Sequence, residues 1–308
     1  MDSFKEITNL HDIVSDALGV CATGGEKGFF LNLSLKHRFP VTVLAEPHIL
    51  DASEGAADWQ SVDCPSHLYF SHGQYIGFDG LTNLISELRH KEHSNRAIIS
   101  LINQSDIVGS GDMPIPSFMI FQCTIFDSVL FVTAYYRALE VSKFLGINVE
   151  ELRLMIKSIY ESLRRFDSVA LHIFAFRAYV KENFNPLLKS ELDRLDSLSL
   201  YFVIKQNPRE LSVMLRDKAR NAYSTISLSE PLRALKRALT EERGKNEIRE
   251  ELRSPRVMRK VDELIVLGDA INEMRKNTSH HNDIDTAATR FREELEKLAR
   301  ECDECLGP

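Results

Sequence analysis

The alternation of apolar and polar residues changes character about two thirds of the way along this 308-residue chain. Up to Asn207, short runs with the two-residue period of strands are interleaved with stretches that have the period of amphipathic helices. After Pro208 the period is almost wholly helical, and charged residues become denser. The pattern therefore predicts an α+β fold, with strands and helices over residues 1–207 and a helical C-terminal region over residues 208–308.

Individual elements of the first region follow from the same periods. Two β-rich runs, 119–126 and 129–135, flank Asp127–Ser128, which predicts a hairpin with a short polar turn. Residues 51–66 contain Gly, Pro, Ser and Asp with little periodicity, and we predict a loop there. Further strands are predicted at residues 29–35, 41–44, 97–102, 168–176 and 198–204. Helices are predicted at residues 4–18, 80–90, 148–165 and 178–195.

The helical region contains four amphipathic stretches, predicted at residues 209–222, 229–252, 256–276 and 285–305. In the last stretch, residues spaced alternately by three and four form an apolar seam: Ala288, Phe291, Leu295, Leu298, Cys302 and Cys305. An isolated helix of this length is only marginally stable in water. The seam must therefore pack on this chain, on a second copy or on another protein, which makes the helical tail a candidate partner surface.

The five cysteines form an odd and scattered set, which indicates reduced thiols rather than a disulfide framework. Cys302 and Cys305 form a CxxC pair with His280 and His281 upstream, so a zinc site is an alternative interpretation. Because both cysteines continue the apolar seam, we favour the seam and expect no metal.

The overall charge limits the classes of partner. The net charge is −7 at pH 7, whereas a general nucleic-acid binder usually carries a basic excess. No apolar run reaches the length of about 18–20 residues that spans a bilayer, and the acid-bearing start MDSFKEITNLHD does not resemble a signal peptide. We therefore expect a cytoplasmic protein with no membrane contact and no general nucleic-acid binding.

The chain contains, in this order, Asp79, Ser94–Asn95–Arg96 and Pro116–Ser117–Phe118, and the order and spacing of these motifs resemble the thymidylate synthase family. Asp79 opens a helix that leads to Ser94–Asn95–Arg96, where the family has Ser-Arg-Arg. Pro116–Ser117–Phe118 follows at the place of the family's Pro-Cys-His, and Gln122 matches a glutamine on the strand that comes next.

The match continues without a gap beyond the predicted hairpin. Arg137–Ala138–Leu139–Glu140 stands where the family has Arg-Ser-x-Asp. Gly146–Ile147–Asn148 stands where the family has Pro-Phe-Asn. Ala178–Tyr179 resembles the family's Ala-His. The chain therefore resembles a divergent member of the thymidylate synthase and pyrimidine hydroxymethylase superfamily, which implies the mixed sheet and flanking helices of that fold.

The resemblance implies a nucleotide site in a homodimer. In that site Arg137 contacts the phosphate in its own subunit, and Arg96 reaches the same phosphate across the dimer interface, since guanidinium groups pair bidentately with oxyanions. Asn148 takes the position of the amide that reads the pyrimidine edge. Gln122 keeps the position of the family's glutamine, and Tyr179 replaces the histidine that holds the ribose hydroxyl.

The resemblance also implies that catalysis is lost. Ser117 occupies the position of the family's nucleophilic cysteine, and a serine hydroxyl without a strong adjacent base supplies essentially no alkoxide. Phe118 replaces the histidine that follows this cysteine, and Cys123 lies roughly 20 Å further along the strand. Glu140 replaces the aspartate that contacts folate, and the last residues do not match the family's closing tail. We expect no catalytic residue and no folate cofactor.

Simpler structural roles compete with these assignments. Arg137 alternatively caps or salt-bridges a helix start, and Arg96 alternatively has a structural role at a subunit interface. Asn148 alternatively caps a helix that begins at Val149, because asparagine is a preferred N-cap residue. Gln122 alternatively belongs to the core.

Three functions follow from these alternatives. The first, which we favour, is a catalytically inactive protein that binds a pyrimidine nucleotide or a related ligand, as a sensor or as a subunit of a larger assembly. The second is a pyrimidine nucleotide (hydroxy)methyltransferase with altered chemistry. The third is a structural dimerisation scaffold with a vestigial pocket, whose helical tail recruits a protein partner.

Overall fold

The computed structural model describes residues 4–23, 29–109, 115–181, 188–221, 228–277 and 281–307. These residues form two compact units. The first unit contains residues 4–23, 29–65, 70–109 and 115–181, and the second contains residues 66–69 and the described residues from 188 onwards. The first unit mixes helices and strands and the second is almost wholly helical, so the predicted α+β class with a helical C-terminal region is confirmed. The domain boundary expected after residue 207 lies within the second unit.

The described part of the first unit is built on seven strands: β1 (Lys5–Glu6), β2 (Phe29–Pro40), β3 (Ile98–Ser100), β4 (Phe118–Phe126), β5 (Val129–Tyr136), β6 (Leu139–Glu140) and β7 (Ser168–Tyr179). They form one mixed sheet in the order β1-β2-β7-β5-β4-β3, and β6 also pairs with β7. β5 runs parallel to β7 and antiparallel to β4. The predicted hairpin joins β4 and β5, and its turn residues Asp127 and Ser128 have φ values of 49° and 59°, as a tight two-residue hairpin turn requires.

Six helices occur among the described residues of this unit: α1 (His11–Thr23), α2 (Leu50–Gln60), α3 (His72–Ile76), α4 (Gly80–His90), α5 (Gln104–Gly109) and α6 (Phe144–Leu163). Apolar side chains of α1, α4 and α6 share one core with alternate residues of the strands, such as Leu171, Ile173 and Val132. The core of the unit therefore lies between these helices and one face of the sheet.

The opposite face of the sheet is open. The strand register places Lys36, His172, Thr133, Gln122 and Ile98 side by side in one row across five strands. Ile98 is 45% exposed although it is apolar, whereas the next residue along the strand is buried in the core. We call this surface the open sheet face and define it by eight residues: Lys36, Ile98, Gln122, Phe131, Thr133, Tyr135, His172 and Phe174.

The loop predicted at residues 51–66 is wrong for most of its length, because α2 occupies Leu50–Gln60. The helix buries Ala52, Ala56 and Trp59, which are spaced by four and three. Gly55 and several polar residues weakened this pattern in the sequence. A Cβ atom at Gly55 would lie 3.3 Å from the Ile147 side chain, so the glycine permits the close packing of α2 on α6.

Two further predictions for the first unit are corrected near its beginning. Residues 41–44 form a 3₁₀ turn rather than a strand, because Pro40 ends β2 and has no N–H for another ladder bond. The helix predicted at residues 4–18 begins only at His11. Before it, Lys5–Glu6 pairs in parallel with the edge of β2.

The described part of the second unit contains six helices: α7 (Ser197–Gln206), α8 (Glu210–Arg220), α9 (Glu230–Thr240), α10 (Glu242–Glu247), α11 (Pro255–Asn277) and α12 (His281–Leu306). α7 replaces the strand predicted at residues 198–204, since Leu200, Tyr201 and Ile204 are buried together with the spacing of a helix. The helix predicted at residues 229–252 is broken at Glu241, whose backbone is extended.

The helix predicted at residues 178–195 is also wrong over its described residues. β7 continues to Tyr179, and Leu192–Arg194 forms a 3₁₀ turn, while residues 182–187 lie outside the described residues. None of the helices that the structure describes is both long enough and apolar enough to cross a membrane.

The apolar seam of α12 is confirmed and forms part of the core of the second unit. Its buried members are no more than 2% exposed: Ala288, Phe291, Leu295, Leu298 and Cys302. Burial raises the pKa of the Cys302 thiol to about 12, and the neighbouring Cys305 contributes to this shift. His280, which the zinc interpretation includes, lies outside the described residues.

Candidate functional site

Ser117 and Arg137 are neighbours at the end of the β4–β5 ladder. The backbone N–H of Arg137 donates to the Ser117 carbonyl at 2.9 Å. The guanidinium of Arg137 donates from Nε to the Pro116 carbonyl at 3.1 Å and from Nη2 to the Ile115 carbonyl at 2.9 Å. These two bonds fix the exposed guanidinium beside Ser117. The other three N–H donors make no hydrogen bond to a described residue and are free to bind an oxyanion.

The hydroxyl of Ser117 makes no hydrogen bond to a base among the described residues. Phe118 stacks on Tyr136, with ring centroids 4.9 Å apart and planes 17° apart, so its side chain is committed to packing. Burial raises the pKa of Cys123 to about 12. The pKa of Cys21 is also raised, by burial and by the charge on Glu140. Neither thiol is therefore ionised at neutral pH.

Glu140 is buried and holds the start of α6. One carboxylate oxygen accepts from the backbone N–H groups of Lys143 and Phe144 at 2.9 and 3.0 Å. The other accepts from Ser142, through its N–H at 2.8 Å and its hydroxyl, and from the Lys181 N–H at 3.4 Å. A carboxylate at a helix N-terminus satisfies otherwise unpaired N–H groups. The geometry thus gives Glu140 a capping role, and its predicted contact with a ligand stays a prediction.

Tyr179 lies next to Glu140, because β6 and β7 pair these two residues. Burial and the charge on Glu140 raise the pKa of Tyr179 to about 12, against the opposing effects of Arg177 and Arg137. The phenol is therefore neutral at physiological pH and keeps its O–H donor. The charges of Glu140 and Arg137 both act on Tyr179, so these three residues lie near one another at this end of the sheet.

Asn148 does not cap a helix, because α6 already begins at Phe144 and Glu140 provides its cap. The Asn148 side chain is 1% exposed. Its Nδ2 atom donates to Oε2 of Glu151 at 2.9 Å, and its Oδ1 atom has no hydrogen-bond partner among the described residues. A buried acceptor without a partner costs about 1–3 kcal/mol of free energy. Asn148 is therefore the predicted site residue with a buried polar atom that lacks a partner among the described residues.

Glu151 is shared with a histidine that sequence reasoning missed. Nδ1 of His72 lies 2.9 and 3.1 Å from the two carboxylate oxygens of Glu151, and both side chains are buried. His72 also packs edge-on against Phe118, with ring centroids 5.6 Å apart. His72, Glu151 and Asn148 thus form a buried polar network beside the stacked pair of Phe118 and Tyr136.

The position of His72 is set by the short helix α3. Ser71 and Gln74 form a reciprocal capping box at its start, and the Ser71 hydroxyl donates to the Ser61 carbonyl at 2.6 Å. A Cβ atom at Gly73 would lie only 2.1 Å from the Gln60 carbonyl oxygen, so only glycine permits this close approach. The Ser-x-x-Gln spacing was visible in the sequence, but it did not indicate that the histidine meets Glu151.

Gln122 and Arg96 lie apart from these clusters in the single chain. Gln122 is on the open sheet face, where its Nε2 atom donates to the Asn95 carbonyl at 2.9 Å. Arg96 is exposed, and its guanidinium makes no hydrogen bond or ion pair with the part of the chain that the structure describes. The role of Arg96 across a dimer interface stays a prediction.

No protein-family model matches this chain, and no curated protein matches it significantly. The resemblance to thymidylate synthases therefore stays a hypothesis based on the order and spacing of motifs.

Proposed function

We propose that this chain is a catalytically inactive, thymidylate-synthase-like protein that binds a pyrimidine nucleotide, as a sensor or as a subunit of a larger assembly. The observation that carries the proposal is the buried amide of Asn148, whose oxygen has no hydrogen-bond partner in the part of the chain that the structure describes. Glu151 fixes the amide nitrogen, so the oxygen is a preorganised acceptor. An N–H group on the edge of a base would satisfy this acceptor and recover the free energy that its burial costs.

Arg137 supplies the second half of the proposed site. Its guanidinium is held by two backbone carbonyls and keeps three N–H donors for a phosphate dianion. Ala138 and Asn95 stand where the resemblance implies further phosphate donors, so fewer contacts are made to the phosphate. Each missing charge-assisted hydrogen bond removes about 1.5–3 kcal/mol. We therefore expect weaker nucleotide binding than the family's full set of residues would give.

The loss of catalysis is proposed from the same residues. The Ser117 hydroxyl makes no hydrogen bond to a base among the described residues, and the raised pKa values of Cys21 and Cys123 disfavour a substitute thiolate. These observations weigh against a pyrimidine (hydroxy)methyltransferase with altered chemistry. Folate is not required by the proposed binding role, and we propose no cofactor.

We further propose a homodimer formed back to back through the open sheet face. Ile98 and Phe131 on this face are 45% and 37% exposed, and Tyr135 and Phe174 stack beside them with ring centroids 5.6 Å apart. Exposed apolar surface of this kind is typical of an interaction site. The face ends at edge strand β3, directly after Arg96, so a second copy would stand within reach of that guanidinium.

A role for the helical unit in holding a protein partner is a further part of the proposal. The apolar seam of α12 is buried within the unit, so a protein partner would have to bind another surface of the helical unit. Leu198 and Phe202, one turn apart on α7, are 48% and 49% exposed. The free cysteines Cys21, Cys64 and Cys305 fit a reducing compartment such as the cytoplasm.

The proposal is tested by calorimetric titration of the full chain with dUMP, dCMP and the matching nucleosides. The wild-type protein should bind the monophosphates more tightly than the nucleosides. Arg137→Gln should weaken binding of the monophosphates by about tenfold or more, because a hydrogen bond to a charged group contributes about 1.5–3 kcal/mol. Binding of the nucleosides should change little.

Arg165→Gln is the matched control for this substitution. Arg165 also donates to a backbone carbonyl, that of Arg89 at 3.2 Å, and it pairs with Glu92 on the surface. This variant should bind like the wild type. A wild-type protein that binds neither monophosphate at millimolar concentration would refute the proposed function, as would equal losses in the two variants.

A further inference from the structure

The CxxC pair of Cys302 and Cys305 lies in the last turn of α12, which ends at Leu306. Cys302 is fully buried in the core of the helical unit, and Cys305 is half-buried and packs against the same core. Neither cysteine forms a disulfide in this structure. The proposed nucleotide site uses neither thiol, so the pair is chemistry that the proposed function leaves unexplained.

The spacing of the two cysteines comes close to that of a disulfide. Residues three positions apart on a helix have Cα atoms about 5 Å apart and Cβ atoms about 5–6 Å apart. A disulfide accepts this Cα separation, but it needs Cβ atoms about 3.5–4.5 Å apart. A bond between Cys302 and Cys305 therefore requires the last turn of α12 to leave regular helical geometry.

Exposed polar contacts from α8 help to hold this last turn. Arg209 donates from Nη2 to the Gly307 carbonyl at 3.0 Å, and Arg216 pairs with Asp303. Both side chains of the ion pair are 40% exposed, and exposed pairs of this kind are weak. Because helix ends open locally more readily than helix interiors, this turn is the part of α12 that can change its geometry.

We infer that Cys302 and Cys305 form a redox switch, in which a small disulfide such as oxidised glutathione converts the two thiols into an intramolecular disulfide that keeps the last turn of α12 open. In the first step the thiolate of Cys305, the more exposed cysteine, attacks one sulfur of the oxidant. The S–S bond of the oxidant breaks and one glutathione leaves as a thiolate. A mixed disulfide remains on Cys305.

The second step needs Cys302. Burial raises the pKa of Cys302 to about 12, with a contribution from Cys305, so Cys302 stays a thiol while the turn is closed. When the turn opens, Cys302 loses its proton, and its thiolate attacks Sγ of Cys305 and displaces the second glutathione thiolate. The two glutathione thiolates take up the protons that the cysteines release. The protein thereby loses two electrons and two protons, and the oxidant becomes two reduced glutathiones.

The disulfide changes the packing of the helical unit. Drawing Cys302 toward Cys305 moves its sulfur out of the core, and the open turn separates Gly307 from Arg209. Both changes weaken the contact between α8 and α12. A strained disulfide is also readily reduced, so a thiol reductant restores the closed turn.

The experiment treats the full chain with oxidised glutathione, blocks the remaining thiols by alkylation and maps disulfides by mass spectrometry of the unreduced peptides. Wild-type protein should give the Cys302–Cys305 disulfide, and dithiothreitol should reverse it. Cys64→Ser, at a half-buried cysteine of the first unit, is the control and should give the same disulfide. Cys305→Ser should give none.

The opening of the turn is measured on the same samples. Oxidation of the wild type should make hydrogen exchange faster at residues 303–307 and should lower the melting temperature by about 2–4 °C. Cys64→Ser should show both changes, and Cys305→Ser should show neither. Mapping of the wild type needs no variant, so the inference is tested even if Cys305→Ser does not fold.

A stable glutathione adduct on Cys305 without the intramolecular bond would overturn the inference. Thiols that stay unmodified, at a glutathione disulfide concentration that oxidises a peptide with an exposed cysteine, would overturn it as well. So would a Cys302–Cys305 disulfide that leaves hydrogen exchange and melting temperature unchanged, because the bond would then fit the closed turn.

Discussion

The amide nitrogen of Asn148 lies 2.9 Å from a carboxylate oxygen of Glu151, one turn further along α6. The same carboxylate accepts from Nδ1 of His72, which comes from α3. Three polar side chains from two helices are thus buried together, although burying polar groups lowers stability unless every group is paired. Within the described ranges, the Asn148 oxygen is a buried group of this network that has no hydrogen-bond partner, and for this reason the proposed binding site is centred on it.

The first prediction concerns Glu151→Gln. A glutamine can donate as well as accept, so the Asn148 amide is no longer forced to point its oxygen away. We expect dUMP affinity to fall by about tenfold and the free energy of unfolding to fall by about 1–3 kcal/mol, measured by calorimetric titration and urea denaturation. Glu161→Gln, at an exposed position of the same helix, should change neither. Wild-type dUMP affinity in Glu151→Gln would contradict the positioning role.

The second prediction concerns Ser117→Cys. Restoring the thiol should not produce turnover of dUMP, because Phe118 remains where the resemblance implies a histidine and Ala138 remains where it implies a phosphate donor. Release of tritium from C5 of the pyrimidine, in the presence of methylene-tetrahydrofolate, is the measurement. Release clearly above background, from this variant or from the wild type, would show that the chemistry is retained.

The hairpin and the central helix show how much of the first unit the sequence could predict. The polar turn at Asp127–Ser128 is a local signal, and so are the β-rich apolar runs on either side of it. The structure confirms the hairpin that these signals predict. α6 was also predicted, but its start was placed near Asn148 instead of Phe144. The cap comes from Glu140, whose carboxylate accepts from the N–H groups three and four residues further along the chain, so the cap is a local signal that the sequence prediction missed.

The candidate site was harder to predict than the fold. Arg137 and Asn148 were identified by their spacing, but their nearest partners were not. His72 meets Glu151 across 79 residues of sequence, and the two backbone carbonyls that hold Arg137 carry no side-chain signature. α7 was mistaken for a strand because a short apolar run fits either type of element.

The third prediction concerns the buried ion pair of the second unit. Nζ of Lys218 lies 2.5 Å from Oδ1 of Asp193, and neither side chain is more than 1% exposed. Lys218→Met would leave the Asp193 charge buried without its cation, so the free energy of unfolding should fall by about 3–5 kcal/mol. Urea denaturation measures this loss.

Lys236→Met is the control for the ion pair. Lys236 pairs with Asp262 at 2.6 Å, but both side chains are about half exposed, so its removal should cost at most about 1 kcal/mol. Equal losses in the two variants would mean that burial does not govern the contribution of Lys218.

The fourth prediction concerns the open sheet face. Ile98→Glu adds a charge at a position that is exposed in the single chain, so the fold should tolerate it. In the proposed dimer this charge would be buried unpaired, at a cost of several kcal/mol. Light scattering should give about twice the mass of one chain for the wild type and a monomer for Ile98→Glu. Val266→Glu, at a residue that is 68% exposed on α11, should remain dimeric, and a monomeric wild type would refute the dimer.

The fifth prediction concerns pH and His172, which lies on the open sheet face. Partial burial and the charge on Lys36 lower the pKa of His172 below its ordinary value of 6.5. A second copy packed on this face would remove more water and lower the pKa further. The dimer would then bind fewer protons than two monomers. Dimer affinity should therefore be highest above the pKa that His172 has in the monomer, and it should weaken as the pH falls below that value.

Sedimentation equilibrium between pH 5 and pH 8 measures this effect. His172→Gln should remove most of the pH dependence, because it keeps a polar side chain beside Ser34 that cannot be protonated. His90→Gln, at an exposed position at the end of α4, should keep the dependence of the wild type. A dimer whose affinity is constant over this range would contradict the assigned role of His172.

The most direct test of the proposed function is a crystal structure of the full chain grown with dUMP at saturating concentration. We expect electron density for the phosphate against the guanidinium of Arg137 and for the uracil ring with its N3 atom within hydrogen-bond distance of the Asn148 oxygen. Density for the nucleotide elsewhere on the molecule, or none at a concentration that saturates the calorimetric signal, would contradict it.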